Sequence, residues 1–223
     1  MKKIVFISII LCAANVFGNA QQNRFKQELS FGASFGMGIS TVSFVPKVQQ
    51  KQLTGYHFGG TLRWITEKNL GLQAEVNYSQ QGWSELFDDA KYSYIRRLHF
   101  LDIPVLTHIY FGNKQVRFFV NLGPKIGFLL NEKTTENVIA SPPPVTQPAY
   151  TSEQWNMPVE KSFAWGLCGG PGIELRTAIG ILQLEGRYYY ALGDLFGNRK
   201  ADYFPQSSSQ VIYGKLTWLI PFL

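Results

Sequence analysis

Apolar and polar residues alternate with a period of two in eight separate stretches of this chain. In the first stretch the odd positions are apolar and the even positions are small or polar. The odd positions carry Leu29, Phe31, Ala33, Phe35, Met37 and Ile39. Successive side chains of a β-strand point to opposite faces, so this period predicts a strand with one apolar and one polar face. The chain is therefore predicted to be all-β.

The same period returns in seven further stretches, and in one of them it is less regular. Within 92–110 the apolar residues sit at Leu98 and Phe100 but move to Ile103 after Asp102, and Pro104 cannot donate a ladder hydrogen bond. We interpret this change as a β-bulge. The other stretches are 56–64, 70–79, 116–128, 163–175, 182–192 and 212–222.

Composition excludes two other classes of protein. Charged residues make up only 16% of the 223 residues and aromatic residues 15%, which is unlike a disordered chain. Apart from the N-terminus, no apolar run approaches the ~18 residues that a membrane-spanning helix needs. A bundle of membrane helices is therefore excluded as well.

The N-terminus has the pattern of a secretory signal peptide. Lys2 and Lys3 precede an apolar run over 4–16, and small residues follow up to Ala20. We predict a signal peptide at residues 1–20 and one mature domain at 21–223. The formal net charge falls from +6 to +4 when the two lysines are removed. Because the protein is predicted to be exported, nucleic acid is not an expected partner. Cys12 would be removed with the signal peptide, so Cys168 would have no second cysteine to pair with in the mature chain.

The connections between the stretches alternate in length, which indicates an architecture. Outer-membrane barrels have short periplasmic turns and long external loops, and an even strand number returns both termini to the periplasm. We therefore predict an eight-stranded antiparallel up-and-down transmembrane β-barrel in a Gram-negative outer membrane. The short connections are 66–69, 111–115 and 176–180, and the long ones are 42–55, 80–91, 131–161 and 193–209.

A soluble eight-stranded barrel that binds a ligand inside is the alternative architecture. Its polar face would meet water and would be dense in Lys, Glu and Thr, whereas the polar face here is mostly Gly, Ser and Ala. Small residues suit a narrow barrel interior. Aromatic residues near the strand ends of the apolar face also fit the girdles of a membrane barrel. The pattern favours the membrane barrel.

Four segments resemble the PorT-like outer-membrane β-barrel family of the Bacteroidetes. They are Gly55–Gly60, Leu70–Gly82, Phe100–Leu106 and Gly123–Pro124. The resemblance covers nearly all of the mature chain and implies an outer-membrane address. The founding member takes part in type IX protein secretion, but the Pro-rich segment 131–161 is no part of the shared pattern. We therefore carry over the fold and the address, and not the secretion role.

Charged residues on the polar face are predicted to point into the barrel. Buried charges must be paired or hydrated, and both signs occur here in comparable number. Two interpretations follow: a network of ion pairs that closes the interior, or a narrow pore for small solutes. Eight strands enclose a space that side chains can fill, which favours closure. The residues are Arg63, Glu75, Lys125, Glu174, Glu185, Arg187 and Lys215.

Catalytic and metal-binding patterns are weak. His99 and His108 would lie roughly 30 Å apart on one strand, too far to share a metal ion. His57 with Ser79 or Ser84 and Glu85 is the one grouping that could form a lipid-modifying hydrolase at the external rim. We expect no enzyme activity, no metal and no cofactor. Gly169–Gly172 is expected to allow close strand packing, because no Lys-Ser/Thr follows it.

The external loops carry aromatic residues that a solvent-exposed loop does not need. These loops are therefore the predicted binding sites, for a protein partner in the cell envelope, and outer-membrane lipid is the other expected partner of a monomeric barrel. Pro142–Pro144 and Pro148 suit an extended segment. The predicted binding residues are Trp83, Phe87, Tyr150 and Trp155.

Overall fold

The computed structural model describes residues 26–45, 47–86, 93–137, 159–197 and 204–222, with only the backbone at residues 136–137. Most of these residues lie in β-strands. Within these ranges we find no helix of the length and apolarity that a membrane crossing requires. The predicted signal peptide, residues 1–20, lies outside the described residues and stays a prediction.

Nine strands are present in the described part of the chain, eight long and one of two residues. Each long strand covers one of the eight stretches of alternation. The strands are β1 (Glu28–Val45), β2 (Gln50–Lys51), β3 (Leu53–Glu67), β4 (Leu70–Glu85), β5 (Ser93–Gly112), β6 (Val116–Asn137), β7 (Phe163–Thr177), β8 (Gly180–Asp194) and β9 (Gln206–Pro221).

The eight long strands form a closed antiparallel barrel in which each strand pairs with its neighbours along the chain. β1 pairs with both β3 and β9, so the first and last strands close the ring. The short β2 extends the sheet beside the end of β4. The predicted eight-stranded up-and-down barrel is confirmed.

The apolar face of the long strands points outward. Leu122, Leu184 and Leu216 expose 61%, 63% and 54% of their surface, while the polar residues between them are buried. A soluble barrel has the opposite arrangement, with its apolar residues inside. The soluble alternative is therefore wrong, and the outward face is the lipid-contacting surface of an outer-membrane barrel.

Aromatic residues gather on the outer surface near the two ends of the apolar band. Such girdles mark the two membrane interfaces. We call the interface near the long connections the upper one and the interface near the short turns the lower one. At the upper interface the hydroxyl of Tyr78 and Nδ1 of His99 are 2.6 Å apart. At the lower interface Trp218 Nε1 donates to the carbonyl of Ile179. The upper group contains Tyr56, Tyr78, His99, Trp165 and Tyr188. The lower group contains Phe31, Trp64, Phe111, Phe118, Trp218 and Phe222.

The lower end of the barrel is the periplasmic end, because it carries the short turns and both described ends of the chain. The turns are residues 68–69, 113–115 and 178–179. Asn69 has a φ of 71°, the left-handed conformation that a two-residue hairpin requires and that asparagine tolerates.

At the external end, several strands continue beyond the apolar band. β4 ends at Glu85 and β6 at Asn137, although the sequence pattern predicted loops over 80–91 and 131–161. The pairing of β4 with β5 and of β5 with β6 continues to these strand ends. The long connections are therefore shorter than predicted, since their first residues are strand residues.

The predicted bulge near Asp102 is wrong. Residues of β5 at even positions face inward along the whole strand. The apolar residues change position because their surroundings change: Leu98 faces an apolar interior above the membrane, and Ile103 lies on the outward face lower down. The irregular pairing lies in the partner strand, where Leu130 of β6 has no partner in β5.

Ala74 lies outward in the middle of β4, between Leu72 and Val76. Ala74→Arg should lower the free energy of unfolding by about 2–4 kcal/mol, because it places a charge near the bilayer midplane. Ala74→Leu is the matched control and should unfold like the unmodified protein. Urea unfolding from lipid vesicles measures the difference. Equal midpoints for all three proteins would show that Ala74 does not face lipid.

Candidate functional site

The centre of the barrel holds four charged side chains from three strands. Arg187 of β8 donates two hydrogen bonds to Glu75 on the opposite wall, at 2.8 and 2.9 Å, and two more to Glu185, at 2.7 and 2.8 Å. Lys215 of β9 donates to Glu75 as well. Each of the four is at most 1% exposed. Two positive and two negative charges therefore neutralise each other inside the barrel.

Amide side chains complete the coordination of Glu75. Gln73 donates to one carboxylate oxygen at 2.7 Å and Asn77 to the other at 2.8 Å. These three residues follow one another at alternate positions of β4, so strand geometry places them on the same inward face. Both oxygens of Glu75 are thus bonded, which is the condition under which a buried carboxylate is tolerated.

A second ionic layer lies nearer the periplasm. Arg63 pairs with Glu174 and, at 3.0 Å, with Glu28, and Arg176 pairs with the same two carboxylates. Gln183 donates to Glu174 at 3.1 Å. This layer joins β1, β3, β7 and β8 across the lumen.

The third ionic contact lies toward the external side of the centre. Lys125 pairs with Asp102 at 2.8 Å, and Ser79 donates to the same carboxylate at 2.7 Å. The Lys125 ammonium also lies 3.4 Å from the centre of the Tyr189 ring. Asp102 was not among the predicted lumen charges, because the supposed bulge obscured its inward direction.

Above these charges the interior is closed by an apolar cluster, which we call the external plug. Phe44 packs edge-on against Trp83, with ring centres 5.3 Å apart, and contacts Phe204 at 5.1 Å. Arg96 lies over the Trp83 ring and pairs with Glu132 at 2.7 Å. The plug comprises Val42, Phe44, Val48, Trp83, Tyr94, Leu98, Phe100, Leu195, Phe196 and Phe204.

A small cavity remains between the plug and the central charges. It measures about 20 Å³, which is room for one water molecule. Its lining includes His57 and Asp102, and both carry a buried polar atom without a partner among the described groups, His57 Nε2 and Asp102 Oδ1.

All seven predicted lumen charges are buried in the barrel, but they do not form one network. Glu75, Glu185, Arg187 and Lys215 meet at the centre, whereas Arg63 and Glu174 belong to the periplasmic layer and Lys125 pairs with Asp102. Glu28 and Arg176 were missed because each lies at a strand end. Glu28 directly precedes Leu29, the first residue of the first alternating stretch, and this position was the signal that could have identified it.

Of the four predicted external binding residues, one is buried and three lie outside the described residues. Trp83 is an inward residue of β4 with no exposed surface, so its assignment to an exposed loop is corrected. Its indole donates to Glu85 at 3.1 Å inside the external plug. Phe87, Tyr150 and Trp155 lie outside the described residues, and their role stays a prediction.

The candidate hydrolase residues are not arranged as a catalytic triad. His57 and Ser79 are cross-strand partners, but Ser79 donates to Asp102 and the His57 ring packs on Tyr213, 4.3 Å between centres. Ser84 lies on the outward face of β4, whereas Glu85 lies on its inward face.

Neither the metal-site nor the phosphate-loop pattern has a counterpart in the described ranges. There, no three His, Cys, Asp or Glu side chains stand close enough to hold a metal ion. Gly169–Gly172 lie within β7, and a Cβ on Gly170 would come 1.8 Å from the carbonyl oxygen of Gly186. Cys168 is buried in the lumen beside Tyr189.

The family described as "Outer membrane protein beta-barrel domain" matches residues 19–197. Among solved structures, the outer membrane enzyme PagL is similar over 83% of this chain and 97% of its own, at 12% identity and a TM-score of 0.51. The comparison with curated proteins gives no match. At this identity the likeness to PagL shows the fold alone.

Two further structures are similar over most of their length. Ail, the attachment invasion locus protein of Yersinia pestis, is 10% identical, with 86% of this chain and 99% of that chain covered and a TM-score of 0.43. Neisserial surface protein A is 12% identical, with 87% and 99% covered and a TM-score of 0.43.

Arg187→Met should destabilise the barrel by about 3–5 kcal/mol, since it leaves Glu75 and Glu185 with Lys215 as their one central cation. Arg187→Lys keeps the charge and should lose less. Lys114→Met, in an exposed turn, is the control for a lost positive charge and should change stability by less than about 0.5 kcal/mol. Urea midpoints in lipid measure all three. An unchanged midpoint for Arg187→Met would indicate a hydrated, open lumen.

Proposed function

The chain belongs to the family of outer membrane protein beta-barrel domains, and from this membership we propose that it is a closed, monomeric, non-enzymatic barrel that works by anchoring or binding at its external end. The bilayer holds the barrel, and the residues that project above the membrane meet the partner. The partner in this proposal is a protein of the cell envelope.

The filled interior is the observation that carries this proposal. Two ionic layers, the Lys125–Asp102 pair and the external plug lie one above another along the barrel axis. The cavity of about 20 Å³ beside His57 and Asp102 has room for one water molecule and is too small for a larger solute. An interior packed in this way supports a role on the surface of the barrel in preference to transport through it.

The external end supports a binding role. β4, β5 and β6 project beyond the apolar band, and a cleft of about 540 Å³ opens there beside β2. Lys47, Gln49 and Leu86 contribute to its lining. Polar and apolar groups are mixed in this cleft, as in surfaces that bind proteins transiently. The connections that carry Phe87, Tyr150 and Trp155 leave the barrel at the same end.

The resemblance to PorT-like barrels also supports a role in the cell envelope. The segments similar to PorT-like barrels of the Bacteroidetes are consistent with a role in the envelope or its secretion machinery. PagL is an outer membrane enzyme, but here the Ser79 hydroxyl donates to Asp102 and the His57 ring packs on Tyr213, which supports a non-enzymatic role. No cofactor is part of the proposal.

Purified protein inserted in planar bilayers should show no stepwise conductance, because the ionic layers and the external plug close the lumen. Insertion is checked independently by the heat-dependent gel mobility of the folded barrel. A sample denatured before addition is the control for leakage by unfolded chains. Reproducible conductance steps from folded protein would refute the closed barrel and favour the narrow pore.

Replacing residues 138–158 with a short Gly/Ser linker should leave folding and outer-membrane insertion unchanged, because loops contribute little to barrel closure. It should abolish co-purification of the envelope partner from detergent-solubilised cells. A matched control replaces Lys114 in the periplasmic turn with Ser and should retain the partner. If both variants retain every partner, the interaction does not use this loop.

A further inference from the structure

We propose that the outer wall of β5 and β6 binds the phosphate groups of an outer-leaflet lipid through Arg97 and Lys133. This site lies on the lipid side of the barrel and is separate from the loop surface proposed above. It has the chemistry to take a phosphorylated lipid whose acyl chains lie against the apolar band.

Two cations stand directly opposite each other on this wall. Arg97 of β5 and Lys133 of β6 are register partners that both point outward, and Lys133 is exposed. Like charges in opposed cross-strand positions repel unless an anion lies between them. Among the described residues, neither has a carboxylate within 4.0 Å; Arg97 makes only a long hydrogen bond of 3.4 Å to Thr135.

Among the described residues around the two cations, none compensates this positive charge. The neighbouring outward residues of β4 to β6 at this height are neutral, among them Gln80, Ser84 and Asn131. Glu132, the nearest acid in the sequence, points inward and pairs with Arg96. The outward residues at the external ends of β1, β3 and β9 are uncharged, including Thr41, Thr54 and Gln210. Two further exposed cations, Lys47 and Lys51, lie before and within β2, which pairs with β4 on the side away from β5.

The height of the two cations matches that of lipid headgroups. Arg97 is four residues beyond Leu101, the last apolar residue of the lipid-facing run of β5. At 3.3 Å per residue and a tilt of about 40°, it lies roughly 10 Å above the apolar band. Headgroups extend about 5–8 Å from the hydrocarbon, and long Lys and Arg side chains can reach down that remaining distance.

A lipid suits this site better than a soluble anion. Lys133 is exposed and Arg97 is half-buried, so water and salt screen their attraction for a free phosphate and the phosphate binds weakly. A phosphorylated lipid is already concentrated beside the wall, and Leu101, Phe128 and Leu130 offer apolar surface directly below for its acyl chains. Arginine and lysine together give one bidentate and one point-charge contact to phosphate.

The test compares two lipids on the purified full-length protein in detergent: diphosphoryl lipid A and the same lipid with its phosphates removed. Bound lipid is counted by native mass spectrometry across a titration. The unmodified protein should bind the phosphorylated lipid at least about tenfold more tightly. R97Q/K133Q should bind both lipids equally, at the weaker level. Millimolar inorganic phosphate should not displace the lipid.

Variants with matched charge distinguish binding at this site from nonspecific electrostatic attraction between the basic protein and an anionic lipid. R97K/K133R should retain the preference, and K68Q/K114Q, which removes two exposed cations from the periplasmic turns, should leave it unchanged. Folding is checked by gel mobility; if R97Q/K133Q does not fold, the single variants and the two-lipid comparison decide. Equal binding of both lipids by the unmodified protein, full binding by R97Q/K133Q, or displacement by inorganic phosphate would each overturn the proposal.

Discussion

A sheet that crosses a hydrocarbon layer can leave no backbone hydrogen-bonding edge unpaired, and this constraint decides most of the structure. The sheet must close, and closure at eight strands sets an interior so narrow that side chains of opposite walls meet. Glu75 and Arg187 touch across the barrel for that reason. Once they touch in a water-poor space, each charge needs a partner, so the interior becomes a set of neutral ionic layers.

The same strands pass through two different environments, one within the membrane and one above it. Within the membrane its outside is apolar and its inside is ionic; above the membrane the inside is the apolar external plug and the outside carries Arg97 and Lys133. Along β4 and β5 the side-chain direction stays the same, while the type of residue on each face changes at the membrane boundary. β5 shows the exchange most clearly, because its apolar positions change from Leu98 and Phe100 to Ile103 at the membrane boundary.

Period-two alternation was enough to predict the strands, the membrane barrel and the inward direction of residues such as Arg187, because those features depend on parity alone. Which lumen charges form ion pairs depends on which strands face each other across the lumen and on how far neighbouring strands are shifted in register. Neither can be determined from a local stretch of sequence. Asp102 and Trp83 were misassigned for one shared reason: an exchange of polarity was interpreted as a bulge or a loop. The sequence signal for the external plug is that the alternation continues beyond the membrane boundary, with the apolar residues now on the inward face.

The seam between β1 and β9 joins strands that are far apart in the sequence. Ser30 pairs with Pro221, about 190 residues later. Contacts of such long sequence separation are costly in loop entropy and slow to form. Until that seam forms, the edges of β1 and β9 lack partners, and Glu28 and Lys215 are not yet held in their ionic layers. The chain is therefore most exposed to mispairing just before its final strand arrives.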